Sequence, residues 1–486
     1  MMRRWTALLA PLLATACATL DTAPSAHLDS AAPGLRECAE WFRDLDARVD
    51  AAGVRDAQES RIPGFPYVRV SRLLASFRES AMRDEGALQA LADRMQALDL
   101  AARAHESANL GGGSPLERAR ECGARLQAAD LADPRLRVRL LERAAVPDDY
   151  STASRVLGLY TITKWPFIAG VRDYQDSVRA AFRAERAPGA GVRVLRYGPP
   201  EAAPAPRAAL ATMIERASAN PLGIPEPHGD ALEALFAAHA PLFEIETGDV
   251  YDRPGALAWR TGEPVPVVDA DAPVVYRMAA WTRYRGRALL QLVYTIWFSE
   301  RPPVAPGDIL AGRLDGVTWR VTLAPDGEPL VYDSMHPCGC YHLFFPTPRA
   351  VPVPAPGAAM EWMFAPQSLP RVADGARPVV RIATRTHYVE GVSLSQQAVA
   401  TARYAFRAYD ELRSLPRPEG GRASVFGPGH GLIAGTERAE RFLFWPMGIP
   451  SAGAMRQWGH HATAFVGRRH FDDDDLLEKR FVFDLP

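Results

Sequence analysis

Lysine is nearly missing from this chain: of its 56 lysine and arginine residues only Lys164 and Lys479 are lysine. That shortage removes most candidates for a Schiff-base nucleophile or a lysine base. It reads as codon bias, or else as a use of arginine's planar fork on carboxylates and phosphates of envelope polymers. Cysteine is sparse too, at five in 486 residues, and neither the paired C-x-x-C of a zinc ribbon nor the C-x-x-C-H of haem attachment occurs. The formal net charge is only −1, with acids and bases interspersed, so nothing calls for nucleic acid as a partner. Past the amino terminus no apolar run reaches the ~20 residues of a spanning helix. The nearest, Val156 to Val171, is interrupted by Lys164 and Pro166 and reads as a buried or surface-lying segment. Common catalytic signatures are absent as well. His105-Glu106 lacks the second histidine of H-E-x-x-H, and Gly448 to Gly453 has one residue too many for a G-x-S-x-G elbow. No P-loop or dinucleotide fingerprint is found.

What is present begins with an export signal. Met1 to Arg4 supply a positive start, Trp5 to Leu13 an apolar run, and Ala14-Thr15-Ala16 small residues ahead of a cleavage point. The stretch Leu13 to Cys17 resembles the lipobox of bacterial lipoproteins, with Ala14 where that motif prefers leucine. The resemblance implies cleavage before Cys17, acylation of its thiol and amine (palmitate-type chains), and a membrane partner reached through that anchor. Ala18 rather than aspartate after the cysteine implies the outer membrane, facing the periplasm. An ordinary A-x-A site, giving a soluble periplasmic protein, fits the same residues.

Composition and periodicity divide the chain into a signal (1–16), a Ser/Thr/Pro/Asp-rich tether (17–34), a helical region (35–145), a mixed connector or subdomain (146–245) and a β-rich body (246–486). Leu88, Leu91, Met95 and Leu98 recur at three- and four-residue steps, as on one helix face, and Pro115 marks another helix start. Cys38 and Cys122 lie in two such helical stretches and are expected to form a disulfide in an oxidising compartment. Beyond residue 246, Val274–Tyr284 with Ala288–Phe298, and Val317–Leu323 with Leu330–Tyr332, read as two hairpins. Val379–Val389 reads as a further strand, Ser393 to about Leu412 as a helix opened by a capping box, and Ala454–Val466 as another. Asp472 to Asp475 reads as a solvated helix start. Trp281, Trp297, Trp319, Trp362, Tyr276, Tyr284 and Tyr294 fill the core by default, with Tyr284, near a turn, as the surface candidate. Helices early and strands late make the fold class α+β: a helical region, then a mainly antiparallel sheet body with a flanking helix.

The densest group of chemically active residues is His336-Pro337-Cys338-Gly339-Cys340-Tyr341-His342. An extended strand would hold the end histidines ~20 Å apart, so a turn at Pro337 and Gly339 is expected. That turn would make His336, Cys338, Cys340 and His342 a zinc or copper set, or join the two cysteines, or leave two inert thiols. A second set draws on His430 in a glycine-rich loop, His461 and His470, with nearby aspartates. The leading functional reading is a non-catalytic, lipid-anchored envelope protein that binds an unidentified envelope partner. The competing reading is a zinc- or copper-dependent envelope hydrolase, and convergence of the C-terminal histidines would favour it.

Overall fold

The computed structural model describes residues 24–113, 115–184, 192–200, 204–357, 360–397 and 399–486; Cys17 and the expected signal lie outside them. The described chain forms two compact units. One takes in the residues up to Ala51, Glu59–Ala104 and the stretch to Val146, and the other takes in Ala52–Gln58, His105–Gly113 and Pro147–Pro486.

The first unit is mostly helical. Helix α1 (Pro33–Ala51) buries Cys38, Phe42, Leu45 and Val49, whose spacing puts them on one face. Leu88, Leu91 and Met95 do the same on α2 (Glu85–Leu110), and Ala119, Cys122 and Leu126 on α3 (Leu116–Ala132). Cys38 and Cys122 are joined as a disulfide, their Cα atoms 5.1 Å apart. A buried ion-pair set sits in the same unit. Asp99 accepts from Arg69 at 3.2 Å and from Arg103 at 2.6 Å. Residues 26–29, inside the expected tether, form a 3-10 turn, and His27 there lies 2.7 Å from Asp130.

The second unit carries the sheets. Strands β1 (Arg193–Gly198), β2 (Leu242–Thr247), β3 (Val274–Tyr284), β4 (Arg287–Arg301), β5 (Gly312–Leu323), β6 (Pro329–Met335), β7 (Leu343–Pro346), β8 (Arg377–Ile382), β9 (Val389–Ser395), β10 (Ala402–Arg403) and β11 (Ala405–Ala408) make two sheets. The larger has six strands in the order β7-β6-β5-β4-β3-β11, antiparallel except for the β3/β11 edge. The smaller has five, in the order β9-β8-β2-β1-β10. Both expected hairpins occur, as β3/β4 and β5/β6. Residues 147–245 belong to this unit, supplying β1, β2 and helix α4 (Tyr160–Arg183). One apolar core joins Phe243, Ile245, Val380 and Ile382 of the smaller sheet to Leu292, Tyr294, Trp319 and Val321 of the larger. The architecture is α+β.

Five local expectations fail. Val379–Val389 is not one strand: β8 ends at Ile382, the chain turns at Thr384–Thr386, and β9 begins at Val389 and pairs back on β8. Ser393–Leu412 is no continuous helix: its described residues are strand and loop up to a 3-10 turn at Tyr409–Arg413, and Val389 and Val392 turn inward on β9, which pairs with β8 and leaves Ser393 mid-strand. Ala454–Val466 is turns and isolated bridges, because Gly453 and Gly459 sit at φ of 85° and 91° and break any helix. Asp472 opens turns, not a helix. Tyr284 is buried, its hydroxyl accepting from Phe483 N at 2.9 Å.

Candidate functional site

The loop between β6 and β7 is the expected turn. Its chain reverses because Gly339 N donates to His336 O at 2.8 Å and His336 N donates to Cys340 O at 3.0 Å. Gly339 has φ of 91°, and a Cβ there would stand 2.5 Å from Ala462 O, so only glycine fits. Cys340 N donates to Cys338 Sγ at 3.4 Å, and both thiols are free. Cys338 is buried, and burial would raise its pKa. The hydrogen bond from the Cys340 thiol and the charge of Arg438 outweigh this and lower it. Cys340 is raised, first by that same bond and then by burial. The first proton therefore leaves from Cys338, and the Cys340 thiol steadies the thiolate.

The two histidines that flank the turn do not join the sulfurs in one ligand set. Each is held by its own aspartate. His336 Nδ1 is 3.0 Å from Asp315 on β5, and His342 Nε2 is 2.9 Å from Asp333 on β6. Asp315 also meets His387 Nδ1 at 2.9 Å, and His387 Nε2 stands 3.4 Å from Asp252. The result is a fully buried chain, His336–Asp315–His387–Asp252. Burial would lower His387, but its bonds to Asp252 and Asp315 raise it, while burial keeps His336 low. His387 thus holds a proton more readily than His336, and it is stacked 4.0 Å from Phe298. Leu314, Tyr341 and His387 all adopt left-handed φ of 53°, 60° and 54° around this network. Such conformations in bulky residues cost about 1 kcal/mol or more each and concentrate at functional sites.

Cys340, Tyr341 and His342 form one wall of a cavity of about 450 Å³. Helix α4 closes another wall with Phe167, Gly170 and Tyr174, and Trp362, Phe364, Tyr388, Phe444 and Phe465 complete an aromatic lining. Polar groups are few: Gln175, Glu361, Glu440 and Arg469 besides His342 and the tyrosines. Glu440 is 2% exposed, and burial pushes its carboxyl up to about 7 against the pull of Arg438 and Arg301. It is a proton-exchanging group near neutral pH inside an apolar chamber. Glycine at 170 leaves room: a Cβ there meets nothing within 4 Å.

Of the second sequence-derived set, His430 converges on a partner and His461 does not. His461 is buried, and its pKa falls to about 3 through burial and the charges of Arg456 and His460. Its neighbour His460 takes the place expected of it. Asp149, His430 and His460 bring three ligand atoms within 4.8 Å of one another, the group among the described residues with metal-like spacing. His470 approaches the other oxygen of Asp149 at 3.4 Å. Asp149 and Glu440 were not evident beforehand. Both sit in unremarkable polar stretches and acquire their roles only by tertiary placement.

No family model, no curated protein and no solved structure matches this chain.

Proposed function

We propose that this is an exported envelope protein, anchored through Cys17, whose β-rich unit binds a small, mostly apolar molecule in the aromatic cavity. The observation that carries the binding role is the cavity itself: about 450 Å³, aromatic on most sides, with a few polar groups placed to orient a guest. Glu440, poised near neutrality by burial, suits a ligand bearing a hydrogen-bond donor or a weakly basic nitrogen. Export is supported by the amino-terminal pattern and by the Cys38–Cys122 bridge, since such bonds persist in oxidising compartments. Among the described residues no helix is long and apolar enough to cross a membrane.

Binding is tested with N-phenyl-1-naphthylamine, a small apolar amine whose emission rises on leaving water. The wild type should bind it, and Gly170→Phe, which fills the chamber, should weaken binding at least tenfold while keeping a native near-ultraviolet spectrum. Equal binding by both proteins refutes the cavity as the site. Cys17→Ser should move the protein from the membrane to the soluble fraction; an already soluble wild type refutes the anchor.

The convergence of Asp149, His430 and His460 favours the competing, metal-centred reading as an addition to this one.

A further inference from the structure

The chain around Asp149 is arranged by backbone that has little regular structure but many specific holds. His430 lies in a loop whose Gly431 packs against Gln457, where a Cβ would come within 2.6 Å of the Gln457 Cβ. Isolated bridges pair Leu432 with Arg456 and Ala462 with His470. The first holds Leu432, two residues after His430, and the second holds His470 itself against Ala462, two residues after His460. Asp149 is 3% exposed in its side chain, His460 12%, His470 7% and His430 50%.

Hydrogen-bond chemistry at His460 is the telling detail. Its Nε2 lies 2.6 Å from the Ala57 carbonyl oxygen, a group that can only accept. The Nε2 must therefore carry a proton. Its Nδ1 lies 2.7 Å from Asp149 Oδ1. Nδ1 can meet that carboxylate through a second proton or through a bound cation, and the buried Arg456 also acts on Asp149. A ring N–H donated to a backbone carbonyl is the usual support of a metal-bound histidine. His430 presents its Nδ1 to the same oxygen at 3.3 Å. Bonds of about 2.0 to 2.1 Å in a tetrahedron place neighbouring ligand atoms about 3.3 Å apart; the His430 separation fits, and the 2.7 Å between His460 and Asp149 is a hydrogen-bond distance that widens when an ion enters.

A second, independent sign comes from His470. Its Nε2 is buried and has no hydrogen-bond partner among the described residues, yet it stands 3.4 Å from Asp149 Oδ2 and 3.6 Å from Asp148 Oδ1. Its Nδ1 faces Asp473 at 3.4 Å. A ring so placed orients the carboxylate that a cation would share.

We infer that Asp149, His430 and His460 form a zinc centre, with His470 steadying the second oxygen of Asp149. Two imidazoles with one carboxylate suit zinc and neighbouring transition metals, and not the all-oxygen cages of calcium or magnesium. Half-exposed His430 leaves the fourth position facing solvent, where water completes the tetrahedron. The centre is separate from the thiol-bearing turn and makes no use of its cysteines.

The test adds zinc chloride to the full-length protein after chelator treatment and dialysis. About one zinc per chain should be retained, and cobalt in its place should give the visible absorption of a tetrahedral site. His430→Ala, at a half-exposed position that folding tolerates, should lose the retained zinc. His470→Ala should weaken binding roughly tenfold, as removal of an orienting partner does. The Cys338→Ala/Cys340→Ala double variant should keep its zinc. A wild type that retains none, or retention that survives His430→Ala and vanishes in the cysteine variant, overturns the assignment. Dye binding in the cavity is read separately, so either proposal can fail alone.

Discussion

Replacing Glu440 by glutamine should stabilise the protein at pH 8 and do far less at pH 5. Burial raises this carboxyl from 4.5 to about 7 in the folded chain. The folded state thus holds a proton that the unfolded chain gives up. Stability from this group is fully present below 4.5 and is lost as pH rises through 7, the reverse of a salt-bridged acid. A shift of this size corresponds to about 3 kcal/mol at pH 8 and under about 1 kcal/mol at pH 5, at 1.36 kcal/mol per pH unit. Glutamine removes the ionisation and keeps the shape, while an imperfect amide hydrogen bond takes back about 1 kcal/mol. The expected advantage of Glu440→Gln is therefore roughly 2 kcal/mol at pH 8, and nearly none at pH 5. Equilibrium urea unfolding of both proteins at the two pH values measures it, and other titrating groups cancel in the comparison. An advantage that does not depend on pH, or a loss at pH 8, refutes the picture of a neutral carboxyl in an apolar chamber.

Asp315→Asn should destabilise the second unit by about 3 to 5 kcal/mol, since it removes the buried carboxylate shared by His336, His387 and Arg438; an unchanged unfolding midpoint would show that this carboxylate balances no buried charge. Removing the bridge between Cys38 and Cys122, which are 84 residues apart, should cost about 4.5 kcal/mol by loop-closure entropy. Peptide mapping without reductant that finds either cysteine alkylated would deny the bridge itself.

The parts of this molecule legible in the sequence are those that depend on local periodicity or on covalent chemistry. Val317, Trp319, Val321 and Leu323 alternate, and the strand they imply is β5. Leu88, Leu91 and Met95 share a helix face as their spacing requires. The reversal at Gly339 follows from its glycine and the preceding proline. Failure came where local propensity was outvoted. The Ser393 capping signal lost to the pairing of Val389 and Val392 against β8. Of two adjacent histidines on an assumed helix His461 was the expected ligand, but Gly459 turns the chain, so His460 faces Asp149 while His461 faces the core. Asp149 itself carries no local mark: Val146-Pro147-Asp148-Asp149-Tyr150 reads as an ordinary turn until residues 281 and 311 positions away arrive beside it.

The close approach of Gly339 to the Ala462 carbonyl has an evolutionary consequence. Residues 339 and 462 are far apart in the chain, yet neither can change its backbone without the other. Arg456 N donates to Pro337 O at 3.0 Å beside them, so the restriction covers two segments and not a single atom pair. Drift at these positions must be correlated. A descendant of this chain that carries any side chain at 339 will have rebuilt the segment around 462, and with it the placement of His460.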